Sequence, residues 1–171
     1  LVPDFEIWRN LTLPALHSVS VLGSLPVTQR EKDRGEEAIR MLSIKASSPD
    51  ILVRELSGGN AQKVTIAKWM FSDVKLFLLD EPTAGIDIGA KTDILRLIRK
   101  LADEGKTVVM VSSEFEELLA VADRILVMRD GECTAIRNAH QTSEHELLLL
   151  AGGQATRKPA DGHISDQAAG H

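Results

Sequence analysis

Two short stretches of the sequence carry residues that could act on a phosphorylated ligand. Residues 56–63 (LSGGNAQK) place a Ser-Gly-Gly run at the start of a segment with helical apolar spacing. Bare backbone N–H groups and the positive end of a helix can receive a polyphosphate there. Residues 76–87 (LFLLDEPTAGID) form an apolar run that ends in Asp80-Glu81. One of these carboxylates could hold Mg²⁺ and the other could act on a water molecule.

Each motif also has a structural interpretation. Residues 57–60 could be a turn with a helix N-cap, and Asp80-Glu81 could end a strand before a turn at Pro82. The functional interpretation is favoured because both motifs are present in this order, with one predicted helix between them.

These motifs resemble the ATP-binding cassette (ABC) of membrane transporters. The second cassette of the tandem-cassette sugar importers has the elements LSGGN-Q-QK, DEPT-GID-GAK, SSE and a DRILVM strand. The chain has matching elements in the same order at residues 56–63, 80–91, 112–114 and 123–128. Four elements in the right order make the resemblance specific.

The resemblance implies an α/β fold, namely part of a P-loop NTPase-like nucleotide-binding domain. Such a domain has a mainly parallel sheet, flanking helices, a small helical subdomain and a C-terminal hairpin. Residues 1–56 would supply part of the helical subdomain, 57–151 the signature helix and the Walker B portion, and 152–171 a disordered tail. The P-loop pattern GxxxxGK[ST] does not occur, and Leu1 is not an initiator methionine. We therefore expect the chain to be the C-terminal part of the domain.

The resemblance also implies a role for the signature residues. In the family this element contacts the γ-phosphate of an ATP molecule that is held by the opposite cassette. The residues of this chain that match it are Ser57, Gly58, Gly59, Asn60 and Gln62. Their expected action is therefore in trans.

Four further residues match the catalytic elements of the family. Asp80 would hold Mg²⁺, and Glu81 would orient or deprotonate the attacking water. Asp87 would couple the two cassettes, or it could simply cap the next helix. Ser113 stands where most cassette ATPases have a histidine, and serine cannot supply a cationic imidazole. The spacing of Ser113 and Glu116 also fits a helix capping box.

Periodicity predicts the elements that position these residues. Residues 1–50 are predicted to form two or three helices, broken at Pro14, Pro26 and Pro49. One of these helices is charged and has an apolar stripe made by Ala38, Ile39, Met41 and Leu42.

The middle of the chain is predicted to alternate strands with helices. Residues 60–71 have helical spacing, and the continuous apolar runs 75–79 and 107–111 predict strands that are buried on both faces. The helix between the two runs is predicted to end near Gly105. This alternation indicates crossover connections and a mainly parallel sheet.

The C-terminal part is predicted to be a hairpin followed by a helix. Residues 124–128 and 132–136 flank Asp130-Gly131, which is a strong hairpin signal. Ser143 and Glu146 have the spacing of a capping box before a short final helix.

Composition narrows the classes of partner. The chain has 171 residues, 43% of them hydrophobic, and a net charge of −5. This charge argues against nucleic acid as a partner, and no apolar run approaches the roughly 20 residues that span a bilayer. The single cysteine, Cys133, cannot form an internal disulfide. The five histidines lack the spacing of a helical metal pair.

The resemblance implies the ATP-hydrolysing subunit of an ABC importer for sugars or related small solutes. Its cofactors would be ATP and Mg²⁺, and it would lie on the cytoplasmic face of the inner membrane. Its partners would be integral membrane permease subunits, a second cassette in tandem or as a dimer, and indirectly a solute-binding protein. Because positioning dominates phosphoryl transfer, we expect negligible ATP binding and turnover by the chain without a P-loop. The alternatives are a soluble cassette ATPase of translation or DNA repair, and a non-catalytic interaction module.

Overall fold

A computed structural model describes residues 1–15, 20–21, 25–26 and 28–152. The chain divides into two compact units, Leu1–Ala122 and Asp123–His171. The predicted boundary at residues 56/57 stays a prediction. The predicted disordered tail lies outside the described residues, apart from Gly152, which ends the last helix.

Helices and a small antiparallel ladder form the N-terminal part of the first unit. They are α1 (Ile7–Thr12), a 3-10 turn (Leu13–Ala15), β1 (Ser20–Val21), β2 (Leu25–Pro26) and α2 (Thr28–Met41). The sequence predicts only helices in this part of the chain, so the antiparallel pair of β1 and β2 differs from the prediction. Pro26 is compatible with β2 because both strands of a two-stranded ladder are edge strands.

The predicted apolar stripe of α2 is only partly buried. Ala38 and Leu42 lie in the core, and Ile39 packs against it. Met41 is 42% exposed and does not belong to the buried stripe. Helix spacing explains the difference, because Ala38 and Leu42 are four residues apart and Met41 lies about 100° from Leu42.

A 3-10 turn (Val53–Glu55) and a parallel crossover form the rest of the first unit. The elements of the crossover are α3 (Gly58–Met70), β3 (Leu76–Asp80), α4 (Ile88–Asp103), β4 (Thr107–Val111) and α5 (Phe115–Val121). β3 pairs with β4 in parallel, from Leu76 opposite Thr107 to Asp80 opposite Val111. The predicted crossover is therefore confirmed. One core joins these elements to α1 and α2, and it includes Ile7, Leu11, Ala38, Val64, Ala67, Phe77, Ile94, Ile98 and Leu101.

The prediction that β3 and β4 are buried on both faces is wrong. Phe77 is 4% exposed, whereas its neighbour Leu78 is 73% exposed, because successive side chains of a strand face opposite sides. Val109, which pairs with Leu78, is 50% exposed. Within the described residues only one face of this sheet is covered.

The second unit is a hairpin with a helix. It consists of β5 (Arg124–Arg129), β6 (Glu132–Asn138), a 3-10 turn (Ala139–Gln141) and α6 (Glu144–Gly152). Asp130 and Gly131 both have positive φ, 52° and 83°, as a type I′ turn requires, so the predicted hairpin is confirmed. The Glu146 N–H donates to Ser143 Oγ at 3.3 Å, which is one half of the predicted capping box. The Glu146 carboxylate instead accepts hydrogen bonds from Arg137 and Thr142.

The described strands form three separate pairs, one parallel and two antiparallel, rather than one mainly parallel sheet. Helices on one face of a parallel pair nevertheless make this an α/β arrangement with a small helical layer. Among the described residues, no helix is both long enough and apolar enough to cross a bilayer.

Candidate functional site

The carboxyl ends of β3 and β4 bring three predicted site residues to one edge of the sheet. Asp80 is the last residue of β3, pairs with Val111, and is exposed. The Glu81 N–H donates to the Val111 carbonyl oxygen at 2.9 Å, which extends the ladder by one residue. Ser113 follows β4 by two residues and is exposed. In open α/β sheets, ligands bind at this edge.

Glu81 has a backbone conformation that is unusual for its residue type. Its φ is +43°, in the left-handed region, and its carbonyl oxygen accepts from the Ala84 N–H at 3.1 Å in the following turn. A non-glycine residue held there costs about 1–3 kcal/mol and persists only where its surroundings impose it. Ser43 and Asp130 also have positive φ, 49° and 52°. The strain therefore favours the functional interpretation of Asp80-Glu81 only together with its position at the carboxyl end of β3.

The tripeptide Gly105-Lys106-Thr107 matches the Gly-Lys-Ser/Thr sequence that ends a P-loop, but it lies at the opposite end of a helix. The Gly105 N–H donates to Ala102 and the Lys106 N–H to Leu101, which is a Schellman motif at the end of α4. Gly105 has φ +84°, which confirms the predicted helix end. A P-loop runs from a strand into a helix N-terminus, where the dipole is positive. Here the chain leaves a helix C-terminus, so this tripeptide is not a phosphate loop.

A buried carboxylate joins three of the segments that carry site residues. Glu117 on α5 is 3% exposed, and its Oε2 accepts from Thr83 Oγ1 at 2.6 Å and from Ser112 Oγ at 2.8 Å. Lys91 Nζ lies 2.9 Å from its Oε1. These four residues, the Glu117 cluster, connect the turn after Glu81, the segment before Ser113 and the first turns of α4.

The Glu117 cluster is an ionic one. Burial raises the pKa of Glu117, but hydrogen bonds from Thr83, Lys91 and Ser112 outweigh it and leave this pKa below the ordinary value. Hydrogen bonds to Glu114 and Glu117 raise the pKa of Lys91. The carboxylate of Glu117 is therefore charged at neutral pH and is stabilised by its three partners.

The Glu117 cluster is absent from the sequence predictions, and the predicted N-cap of α5 is at the wrong residue. The helix α5 begins after Glu114, which is its N-cap, so the predicted Ser113–Glu116 capping box is wrong. Ser112 Oγ instead accepts from the Glu114 N–H at 3.0 Å. The available signal was a glutamate five residues after Ser112 on a helix that begins beside a candidate site.

Ser57 occupies the N-cap position of α3, but its side chain does not cap the helix. Its backbone is extended (φ −64°, ψ 157°), and its hydroxyl makes no capping hydrogen bond. Asn60 Nδ2 donates to Ser57 Oγ at 2.8 Å, and Asn60 Oδ1 accepts from the Lys45 N–H at 2.8 Å. Asn60 is 9% exposed and therefore faces the protein rather than solvent.

The two glycines of the signature turn differ in their surroundings. A Cβ atom on Gly59 would lie 2.3 Å from Ala90 Cβ, so this position must be glycine for α3 to approach the first turn of α4. A Cβ atom on Gly58 would meet only Ile86 Cγ2, at 3.9 Å. Asp87 Oδ1 accepts from the Ala90 N–H at 2.9 Å, which confirms Asp87 as the N-cap of α4.

Gln62 and Lys63 face different surroundings. Gln62 and Asp80 line one groove of about 470 Å³ between α3 and β3, together with Thr65, Ile66, Trp69, Val74, Leu76, Phe77, Leu78, Leu79 and Pro82. Lys63 is buried, and its Nζ donates to Asp93 Oδ2 at 2.8 Å and to the Ser43 carbonyl oxygen at 3.1 Å. Lys63 thus has a structural role inside the signature motif.

The structure therefore brings the predicted site residues together in two groups. Asp80, Glu81 and Ser113 share the sheet edge, and Ser57, Gly58, Gly59 and Asp87 share the contact between α3 and α4. No hydrogen bond in the described part of the chain joins the two groups. Gln62 of the signature motif nevertheless lines the same groove as Asp80, so this groove lies between α3 and the sheet edge.

The sheet edge fits a magnesium ion that is held jointly with phosphate. No cluster of three metal-ligating side chains is present among the described residues. Mg²⁺ needs only one or two protein carboxylates when phosphate oxygens and water complete its octahedron. Asp80 forms no ion pair within residues 28–152, so its carboxylate is available for this role.

The chain is similar to proteins of the ABC transporter family. The family model described as ABC transporter matches residues 1–84. "Ribose import ATP-binding protein RbsA" of Bacillus cereus is 44% identical over 153 residues, which cover 90% of this chain and 31% of that protein. The protein of the same name from Bacillus subtilis is 40% identical over the same shares. The chain thus spans about a third of the length of these relatives.

Solved structures of ATP-binding cassettes and ABC transporters have a similar fold. An ATP-binding cassette described as dimeric, in a post-hydrolysis state and bound to ADP and Pi, has a TM-score of 0.66 and 27% identity. The alignment covers 81% of this chain and 59% of that one. A metal-chelate type ABC transporter in an inward-facing conformation has a TM-score of 0.73 at 21% identity, which shows a shared fold.

Proposed function

We propose that the chain is part of the ATP-hydrolysing subunit of an ABC importer for sugars or related small solutes. The conformation of Glu81 carries this proposal: a carboxylate in strained backbone at the carboxyl end of a parallel strand, directly after Asp80. The names of the relatives, which are ribose import ATP-binding proteins, support the transport role and the sugar class.

The residues at the sheet edge would act on the terminal phosphate. Asp80 would hold Mg²⁺ through water, and this ion would neutralise charge on the phosphate oxygens. Glu81 would orient the attacking water and accept its proton. Ser113 would offer a hydroxyl where an imidazole is usual in the family, so it would act as a hydrogen-bond partner without a positive charge.

The signature residues, Ser57, Gly58, Gly59, Asn60 and Gln62, would act on an ATP molecule held by a second cassette, in tandem or in a dimer. Ser57, Gly58 and the first turn of α3 present donors to an anion, and Gln62 follows them along the same helix. Asp87 would contribute to the contact between cassettes, next to Gly59. The other partners would be integral membrane permease subunits and, indirectly, a solute-binding protein, with the subunit peripheral on the cytoplasmic face of the membrane.

The test is Glu81→Gln in the full-length protein that contains this chain. The change keeps the size of the side chain and removes the base, so ATP turnover should fall by about 10²–10⁴-fold while ATP affinity changes little. Glu116→Gln is the matched control, because Glu116 is an exposed glutamate on α5. Unchanged turnover in Glu81→Gln would favour a non-catalytic interaction module. A ribosome or DNA partner in place of a permease would favour the soluble cassette ATPases.

A further inference from the structure

We propose that Asn60 is a positioning residue that leaves the Ser57 hydroxyl free to donate a hydrogen bond to the bound phosphate. This inference rests on the proposed function, in which Ser57 contacts the γ-phosphate in trans. It changes the expected role of Asn60, whose side chain is nine-tenths buried and acts through Ser57.

The orientation of the Asn60 amide follows from its partner on the other side. The Lys45 backbone N–H, 2.8 Å from Asn60 Oδ1, can only donate, so the atom that faces it must be the carbonyl oxygen. The NH₂ group then faces Ser57 Oγ, also at 2.8 Å. A 180° rotation of the amide would place two donors against each other at Lys45.

The amide in turn determines what the serine can do. A serine hydroxyl has one donor and two acceptor lone pairs, and the Asn60 NH₂ group occupies one lone pair. Within the described residues, nothing accepts the Ser57 hydroxyl proton, and the hydroxyl does not cap α3. An ordinary N-cap serine accepts from the N–H groups of the first turn. Here the Ser57 side chain accepts from none of these N–H groups, so they and the hydroxyl proton are all able to donate. This arrangement suits a ligand that can only accept hydrogen bonds, such as a polyphosphate.

Asn60→Asp reverses the polarity of this contact with almost no change in shape. One carboxylate oxygen still accepts from the Lys45 N–H, but the other now faces Ser57 Oγ and draws the hydroxyl proton to itself. A negative charge in the first turn of a helix is compatible with the helix dipole, so the fold should be retained. Asn60→Ala removes the amide and leaves the hydroxyl to rotate freely.

The experiment is a double-mutant cycle in the full-length protein, with Mg-ATP turnover as the readout. Ser57→Ala and Asn60→Asp should each lower kcat/KM by about 10- to 100-fold, as expected for the loss of one hydrogen bond to a charged group. The kcat/KM of Asn60→Ala should lie between that of these variants and that of the wild type. In the Ser57→Ala background, either Asn60 substitution should lower kcat/KM by less than a further factor of about three, because its effect passes through Ser57. Urea midpoints of each variant confirm folding.

The cycle separates the possible failures. If Asn60→Asp costs the same with and without the Ser57 hydroxyl, the cause is repulsion between carboxylate and phosphate, and the positioning role is wrong. If Ser57→Ala lowers turnover and neither Asn60 variant does, the positioning role is again wrong but the proposed site stands. If Ser57→Ala has no effect, the proposed site itself is wrong, and the positioning role with it.

Discussion

Alanine in place of Gly59 should destabilise the protein relative to alanine in place of Gly58, its neighbour in the signature motif. In Gly59→Ala the new methyl carbon would lie 2.3 Å from Ala90 Cβ, whereas carbon atoms in contact are about 3.5–4.0 Å apart. Ala90 Cβ is fixed to the backbone of α4, so the two helices must separate by more than about 1 Å. Overpacking of this kind costs about 1–3 kcal/mol.

Gly58→Ala is the matched control, because it lies in the same helical turn and gains the same methyl group. Its Cβ would lie 3.9 Å from Ile86 Cγ2, which is ordinary van der Waals contact. Both variants gain helix propensity of up to about 1 kcal/mol, so the difference between them isolates the clash. We expect Gly58→Ala to be neutral or stabilising and Gly59→Ala to be less stable than Gly58→Ala by about 1–3 kcal/mol.

Urea unfolding of the chain, followed by circular dichroism, measures this difference. With a slope of about 2 kcal/mol per M, the two midpoints should differ by about 0.5–1.5 M. Ala90→Gly itself costs up to about 1 kcal/mol of helix propensity. In the Ala90→Gly background, Gly59→Ala should no longer be destabilising, because the next atom that the new Cβ meets is Ala90 Cα at 3.7 Å. Equal midpoints for the two alanine variants, or continued destabilisation in the Ala90→Gly background, would refute the close approach of α3 and α4 as the reason for Gly59.

Two further predictions concern the charge of Glu117 and the binding of Mg-ATP. Because the folded-state pKa of Glu117 is lowered, its contribution to stability is present above the ordinary glutamate pKa of about 4.3 and is lost as pH falls through the lower folded value. Glu117→Gln should therefore lower the urea midpoint at pH 7 and flatten its decline on acidification; an unchanged pH profile would show that the cluster does not contribute. Calorimetry should detect negligible Mg-ATP binding by the chain alone, and stoichiometric binding at physiological ATP concentration would contradict the need for a P-loop.

Features with a local cause were predictable from the sequence. The hairpin at Asp130-Gly131 and the helix end at Gly105 depend on positive φ angles, which a few neighbouring residues determine. The strands β3 and β4 fall within one residue of the apolar runs that predicted them. The motif order also indicated the similarity to ABC transporter proteins that the comparisons show, because the spacing of phosphate-binding and carboxylate elements is itself a sequence property.

Features that depend on distant partners were not predictable. The exposed face at Leu78 was predicted to be buried because a continuous apolar run does not say which elements are present to cover it. The predicted Ser113–Glu116 capping box failed because Ser112 and Glu114 form the local contact instead, while Glu117 turns inward to Thr83 and Lys91.

The sequence by itself therefore determined the resemblance to ABC transporter proteins, the order of the chemical groups and the turns that depend on local dihedral angles. Only the tertiary structure decided what each group faces. It distinguished Gly59, pressed against Ala90, from Gly58, which is open, and it fixed the orientation of the Asn60 amide through the Lys45 N–H. The physical reason is that steric contact and hydrogen bonding act over a few ångströms between residues that lie tens of positions apart in the chain, and no local pattern of residues encodes those distances.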